Sequence, residues 1–143
     1  MKESANGCLK EELIMKMLFV ANEHLATALQ ESLAGYFDRP DTAAVDFCYP
    51  DHEAGTRRLA KILSEALDRN PAENFLILAD TFGSTAYNET SLLLSRTGLS
   101  GRAVVVTGMN LPMAIKYYGL KDAVSLGYLH ELQEDAAKES YAG

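Results

Sequence analysis

The chain has 143 residues, of which 48% are hydrophobic and 23% are charged. This is the composition of an ordinary globular protein, and the length suffices for one domain with a core but not for two comfortable ones. The formal net charge is −7, and the longest run of basic residues is the pair Arg57-Arg58. Composition therefore excludes a disordered protein, and charge argues against nucleic-acid binding through phosphate contacts.

The apolar runs are short, the longest being residues 17–21 and 75–79. A membrane-spanning helix needs about 20 apolar residues, so neither run can form one. Residues 1–16 carry three glutamates and no adequate apolar stretch, which excludes a secretory signal. We expect a loosely ordered leader over 1–16 and one domain over 17–143.

The two cysteines, Cys8 and Cys48, lie far apart and neither belongs to a Cys-x-x-Cys pair. This spacing indicates neither a zinc site nor a disulfide framework. We therefore expect a reduced, cytoplasmic compartment, with no metal and no cofactor.

The first predicted strand covers residues 17–21, a nearly continuous apolar run typical of a strand buried on both faces. Leucines and aromatic residues at helical spacing follow it, which predicts a helix over about 23–37. We expect Asn22 to be its N-cap, because an asparagine oxygen can accept from the free amides of the first turn.

The remaining segments repeat this alternation of strand and helix. We predict three further strands, a helix between each pair, a short helix after Pro112 and an amphipathic helix over about 128–139. The three strands are expected near 43–48, 75–79 and 103–107. This order predicts an α/β fold with right-handed crossovers. We expect a flavodoxin-like, doubly wound parallel sheet of four strands in the order 2-1-3-4, with helices on both faces.

In such a sheet, ligands bind beyond the carboxyl ends of the strands. Asp80 closes a fully apolar strand, where a carboxylate costs free energy unless it is hydrogen-bonded. The small-residue turn Gly83-Ser84-Thr85 can present backbone amides to an anion at the start of the next helix. The plainer interpretation also remains open: Asp80 can be a turn former or helix cap, and Gly83 can serve backbone conformation alone.

Two stretches have a more specific pattern. Residues 80–88 read Asp-Thr-Phe-Gly-Ser-Thr-Ala-Tyr-Asn, and residues 108–113 read Gly-Met-Asn-Leu-Pro-Met. The first resembles the Asp-Thr-Trp-Gly-Gly-Ser-Pro-Phe-Asn segment of mannose-type enzyme IIA domains of the bacterial sugar phosphotransferase system, with changes at Ser84 and Ala86. The second is similar to that family's Gly-x-Asn-Leu-Pro-Met. The resemblance covers about 17–143.

The resemblance implies a cytoplasmic phosphocarrier for sugar uptake that works beside a membrane permease. In that family, a histidine after the first strand accepts a phosphoryl group from the histidine-containing phosphocarrier protein and passes it to a IIB domain. The aspartate corresponding to Asp80 holds the imidazole. Phosphoryl transfer requires mainly positioning and charge stabilisation, and the expected phosphoryl-binding residues are Gly83, Ser84, Thr85 and Asn110.

The resemblance also implies a homodimer, with or without an exchanged terminal strand. It does not reveal the sugar, because in that family the permease makes the sugar contacts.

The expected acceptor histidine is missing from its usual place. The family has Thr-His-Gly after the first strand, and the register that keeps the other matches puts Ala-Asn-Glu, residues 21–23, there. Asn22 cannot carry a phosphoryl group, and His24 lies two residues further on. We favour loss of the acceptor over a shift to His24, because phosphoryl transfer is unforgiving of geometry. We expect Asn22 beside Asp80, with its side-chain amide donating to the carboxylate.

Three interpretations of this loop remain open. His24 is a relocated acceptor, or the site is silent and the domain has a regulatory or binding role, or His24 is simply solvated. His52 follows the second strand and can reach the same cleft, although a solvent-facing loop histidine is the simpler interpretation. His130 lies on a polar helix and receives no role. The leading function is a phosphocarrier, and the alternatives are a regulatory module like the enzyme-IIA-like domains of some transcription activators and a small-ligand binder.

Overall fold

The computed structural model describes residues 15–122 and 127–129. Its centre is a parallel sheet of four strands in the order β2-β1-β3-β4, which confirms the predicted fold class and strand order. The strands are β1 (Met15–Asn22), β2 (Thr42–Phe47), β3 (Asn74–Ala79) and β4 (Ala103–Val106).

Helices follow the strands along the chain: α1 (Leu25–Leu33), α2 (His52–Arg69), α3 (Thr85–Arg96) and α4 (Leu111–Leu120), with a 3-10 turn over Ser100–Arg102. Helix α1 is shorter at both ends than predicted, and α3 is longer at both ends than the helix that its sequence predicts over about 88–94. Strand β1 takes in Met15 and Lys16, which the sequence had suggested were leader. Residues 1–14 lie outside the described residues, as does all but the start of the helix predicted over 128–139.

Alternate residues of the central strands point to opposite faces of the sheet, and helices bury both faces. Met17 and Phe19 pack on one face with α1 and α4, whereas Leu18 and Val20 pack on the other with α2 and α3. All four side chains are 0% exposed. Each buried side chain of this size contributes about 1.5–3 kcal/mol of apolar burial, which explains why the strand sequence is continuously hydrophobic rather than alternating.

Helix α2 is placed tightly against the end of β2. Asp51 caps its N-terminus by accepting a hydrogen bond from the Ala54 amide at 3.3 Å. One turn into the helix, the buried Gly55 faces the ring of Phe47, and a Cβ on it would lie 2.6 Å from the nearest ring atom. Only glycine lets the helix approach this closely, and the approach brings the start of α2 to the carboxyl edge of the sheet.

In the part of the chain that the structure describes, no helix has the length and apolar character needed to cross a membrane.

Candidate functional site

A cleft of about 170 Å³ lies at the carboxyl ends of β1 and β2 and the start of α3. The chain leaves β1 towards β2 and then crosses back to β3, so this is the point where strand order reverses and parallel α/β sheets bind ligands. The cleft is lined by Asn22, Glu23, Phe47, Tyr49, His52 and Thr85.

Asp80 connects three elements around this cleft. Its Oδ2 accepts from the backbone N–H of Asn22 at 2.9 Å, and its Oδ1 accepts from the Ser84 hydroxyl at 2.6 Å. Ser84 is the N-cap of α3, and its Oγ accepts in turn from the Tyr87 amide at 3.1 Å. The Asp80 carbonyl accepts from Gly108 in the loop after β4 at 2.7 Å. Both carboxylate oxygens are therefore hydrogen-bonded, which offsets the desolvation of the charge.

Asn22 has a different role from the one predicted. It is the last residue of β1, and the residue before α1 is His24, so the expectation that Asn22 caps that helix was wrong. Its Oδ1 instead accepts from the Ala86 amide in the first turn of α3, at 2.9 Å. The expected bond from its side-chain amide to Asp80 was also wrong, because the backbone N–H makes that contact. Asn22 thus joins β1 to α3 through both its backbone and its side chain.

Glu23 shows that the loop keeps a backbone suited to glycine. Its φ is +57°, a left-handed conformation that costs a non-glycine residue about 1 kcal/mol or more. This is the position at which Thr-His-Gly has its glycine, so the backbone supports the register that puts Asn22 at the histidine position. The Glu23 carboxylate accepts from the Tyr49 amide at 3.0 Å, and its backbone N–H donates to the Phe47 carbonyl at 3.0 Å.

A relocated acceptor at His24 would need a ring nitrogen within hydrogen-bond reach of an Asp80 oxygen, and the structure does not place His24 there. Its side chain is 82% exposed, and its Nδ1 lies 4.0 Å from an oxygen of Asp46. Within the described residues, the hydrogen-bond partners of the Asp80 carboxylate are Asn22 and Ser84, and no imidazole is among them. His52 is the first residue of α2 and lines the cleft. His130 lies outside the described residues.

Of the three amides expected to hold a phosphoryl group, that of Ser84 already has an acceptor, as do two further amides in the first turn of α3. The Ser84 amide donates to the Thr81 carbonyl at 3.1 Å. The Ala86 amide donates to Asn22 Oδ1, and the Tyr87 amide donates to Ser84 Oγ. Three amides at the start of α3 are therefore satisfied by the protein itself.

Gly83 and Asn110 shape the backbone around the cleft, one in a turn and the other at a helix N-terminus. Gly83 has φ +84° and its carbonyl accepts from the Asn88 side chain at 3.2 Å, so it makes the turn into α3. Asn110 is the N-cap of α4, where its Oδ1 accepts from the Met113 amide at 2.9 Å. Thr85 lines the cleft at the first position of α3.

The sequence did not point to the acidic surroundings of Cys48, which follows β2 directly. Partial burial, together with the negative charges of Glu23 and Asp46, raises the pKa of the Cys48 thiol. Asp46 is held in place by Thr27, whose hydroxyl and amide donate to its carboxylate at 2.5 and 3.2 Å. These side chains come from segments separated in sequence, so neither spacing nor periodicity could have indicated that they meet.

Comparison with solved structures places this fold among enzyme IIA proteins. The mannose/sorbose specific IIA subunit of the phosphotransferase system from Enterococcus faecalis is 27% identical, with a TM-score of 0.66 over 85% of this chain and 91% of that chain. The phosphotransferase system component EIIA from Streptococcus agalactiae is 19% identical, with a TM-score of 0.69 over 89% of this chain and 95% of that one.

The same fold occurs in a sigma-54 interaction domain protein from Enterococcus faecalis, which is 11% identical, with a TM-score of 0.69 over 89% of this chain and 93% of that one. No curated protein matches the chain. The family model of the phosphotransferase system fructose IIA component, the mannose-type EIIA family, matches residues 17–133. The chain belongs to this family of enzyme IIA components of the sugar phosphotransferase system.

Proposed function

We propose that this chain is a catalytically silent enzyme-IIA-like domain, which binds partners of the sugar phosphotransferase system in the cytoplasm without carrying a phosphoryl group. The observation that carries the proposal is Asn22, which ends β1 beside Asp80. The resemblance puts the acceptor histidine at this position. A carboxamide cannot replace it, because its nitrogen lone pair is delocalised into the carbonyl and is not a nucleophile, whereas an imidazole has a free lone pair near neutral pH.

The hydrogen bonds around Asn22 support this proposal. The Asp80 carboxylate is satisfied by Asn22 and Ser84, so it does not need an imidazole to offset its charge. The Asn22 oxygen occupies the Ala86 amide, which a phosphoryl oxygen would otherwise reach at the start of α3. The Asp80 carboxylate and the Ala86 amide thus have hydrogen-bond partners without an imidazole or a phosphoryl group.

The partners that the family implies are the histidine-containing phosphocarrier protein and a IIB domain. Two aromatic side chains near the cleft are well placed to contact such proteins, since Tyr49 is 86% exposed and Phe82 in the Asp80 loop is 78% exposed. Aromatic residues are enriched in protein interfaces. A domain that docks these partners without turnover would regulate the pathway by occupying them. We also expect a homodimer, which light scattering at high micromolar concentration can test.

A second candidate is favoured by His52, which lines the same cleft as Asn22. In this case the chain is a working phosphocarrier with a displaced acceptor. The phosphoryl group would pass from the phosphohistidine of the carrier protein to the imidazole of His52, or of His24, and then to a IIB domain. The N–P bond of the donor breaks as that of the acceptor forms, so atoms balance without a further reactant.

Phosphorylation with purified components separates the two candidates. The full chain is incubated with phosphoenolpyruvate, enzyme I and the histidine-containing phosphocarrier protein, and its intact mass is measured before and after acid treatment. We expect no acid-labile gain of one phosphoryl group in the parent and a gain in Asn22→His. Asn22→Ala is the matched control, because it also loses the Ala86 contact, at a cost of about 1 kcal/mol, but provides no nucleophile.

A phosphorylated parent would refute the silent-domain proposal, and loss of the signal in His24→Ala or His52→Ala would then identify the acceptor. If Asn22→His folds but is not phosphorylated, more than the missing imidazole separates this site from a working one. The binding part of the proposal is tested by NMR titration of the labelled carrier protein with this chain. An absence of shift changes at millimolar concentration would contradict it.

A further inference from the structure

Glu23, which lines the cleft, lies beside His24 and Cys48, and the three side chains carry different metal-ligating groups. One ligand atom of each lies within 4.8 Å of the corresponding atoms of the other two. The register of the sheet explains this meeting, because Asn22 pairs with Phe47 at the ends of β1 and β2. The residues that follow this pair in the two strands are Glu23 and Cys48, which therefore emerge side by side.

Hydrogen bonds between the two loops hold this cluster together. The Glu23 amide donates to the Phe47 carbonyl at 3.0 Å, and the Cys48 thiol donates to the Glu23 carbonyl at 3.7 Å. The Glu23 carboxylate is itself oriented by the Tyr49 amide, which donates to Oε1 at 3.0 Å. Among the residues that the structure describes, no group donates a hydrogen bond to the second carboxylate oxygen. Hydrogen bonds thus orient the Glu23 and Cys48 side chains, whereas the His24 side chain is 82% exposed.

We propose that Glu23, His24 and Cys48 form a binding site for a divalent transition-metal ion of the Zn²⁺ class. Zinc takes thiolate, imidazole and carboxylate ligands at about 2.0–2.3 Å in a tetrahedron, so its ligand atoms lie about 3.5 Å apart. The observed spacing of up to 4.8 Å contracts to this value by rotation of side chains at the surface. Three protein ligands leave the fourth position open to water.

The composition of the cluster selects the class of metal. Mg²⁺ and Ca²⁺ prefer sites made of oxygen atoms, whereas a sulfur, a nitrogen and an oxygen together suit Zn²⁺ and its spectroscopic substitute Co²⁺. Metal binding replaces the thiol proton of Cys48, which passes to solvent as the metal–sulfur bond forms, and no oxidation is involved.

Asp46 is a further acidic side chain beside the cluster. Its Oδ2 lies 4.0 Å from His24 Nδ1, and Thr27 fixes its carboxylate through two hydrogen bonds. Metal-binding histidines commonly have a carboxylate at their second ring nitrogen, which orients the ring. The charges of Asp46 and Glu23 also attract a cation to this edge of the sheet. Cysteine spacing did not point to this cluster, because its side chains come together through strand register.

Titration of the full chain with ZnCl₂ and CoCl₂ tests the proposal. We expect one ion per chain by calorimetry and, with Co²⁺, a thiolate-to-cobalt charge-transfer absorption in the near ultraviolet. Cys48→Ser should abolish this absorption, and His24→Gln and Glu23→Gln should each weaken binding by about ten-fold or more. The matched control is Cys8→Ser, which should keep both the stoichiometry and the absorption.

The proposal is overturned if neither ion binds at one per chain, if Cys48→Ser keeps the absorption, or if Cys8→Ser loses it. Unchanged affinity in both His24→Gln and Glu23→Gln would also overturn it, since binding would then be adventitious. These two variants alter exposed side chains and keep the test decisive if Cys48→Ser does not fold. The readout is metal binding, so it is independent of whether the parent is phosphorylated.

Discussion

Replacing Gly55 with alanine tests the packing that brings α2 to the edge of the cleft. A Cβ at this position would lie 2.6, 2.8 and 2.9 Å from three atoms of the Phe47 ring. Carbon atoms attract best at about 3.5–4.0 Å, so all three contacts would be repulsive. Phe47 is only 2% exposed, and its ring cannot turn away into solvent. Either α2 or the end of β2 must therefore move.

Two opposing effects determine the size of the change. Alanine stabilises a helix interior by about 1 kcal/mol relative to glycine. Inserting a methyl group into a well-packed core typically costs about 1–3 kcal/mol, and these contacts belong at the upper end of that range. We expect Gly55→Ala to lower the free energy of unfolding by roughly 1–2 kcal/mol. Gly119→Ala is the matched control in α4, where nothing lies within 4 Å of an added Cβ, and it should raise that free energy by about 0.5–1 kcal/mol.

Urea unfolding followed by circular dichroism measures both variants, and an unchanged m-value ensures that the midpoints report stability. The expected result is a pair of shifts of opposite sign. If Gly55→Ala is as stable as the parent, or is stabilised like Gly119→Ala, the close approach of α2 to Phe47 is not a constraint and the reasoning fails.

Two further stability predictions use the same assay. Ser84→Ala should lower the free energy of unfolding by about 2 kcal/mol, and Asn110→Ala by about 1 kcal/mol. Both variants remove an N-cap, but only Ser84 also donates to Asp80. Equal losses would mean that the Asp80 contact contributes nothing to stability. The hydrogen bond from Lys16 at 2.6 Å is the main cause that lowers the pKa of Asp41 below its usual 3.8. The stabilisation from this pair is present above pH 3.8 and is lost as pH falls through the folded-state pKa of Asp41. Lys16→Met should therefore lower the free energy of unfolding at pH 7 by less than about 1 kcal/mol and have no effect in strong acid. A difference that persists in acid would show that Lys16 acts through packing instead.

Much of the fold could be predicted because its strands are marked by local sequence. Residues of β1 and β3 must be apolar in succession, since both faces of the sheet are covered by helices. Alternation with helical periodicity then leaves few topologies, and the observed strand order is the predicted one. Asp80 could also be identified as a carboxylate that needs hydrogen-bond partners, because it directly follows an apolar strand, where desolvation of a charge costs free energy.

The sequence by itself determined the class of fold, the family and the presence of asparagine where the resemblance places the acceptor histidine, because each depends on residue type at known spacing. Tertiary structure alone decided what Asn22 does, since its side-chain partner, the Ala86 amide, is 64 residues away. It also decided that His24 lies near Asp46 and that Cys48 lies beside Glu23. These contacts depend on the register between parallel strands and on the entry angle of α3. Such quantities are set by packing across the whole sheet, and no local stretch of sequence contains them.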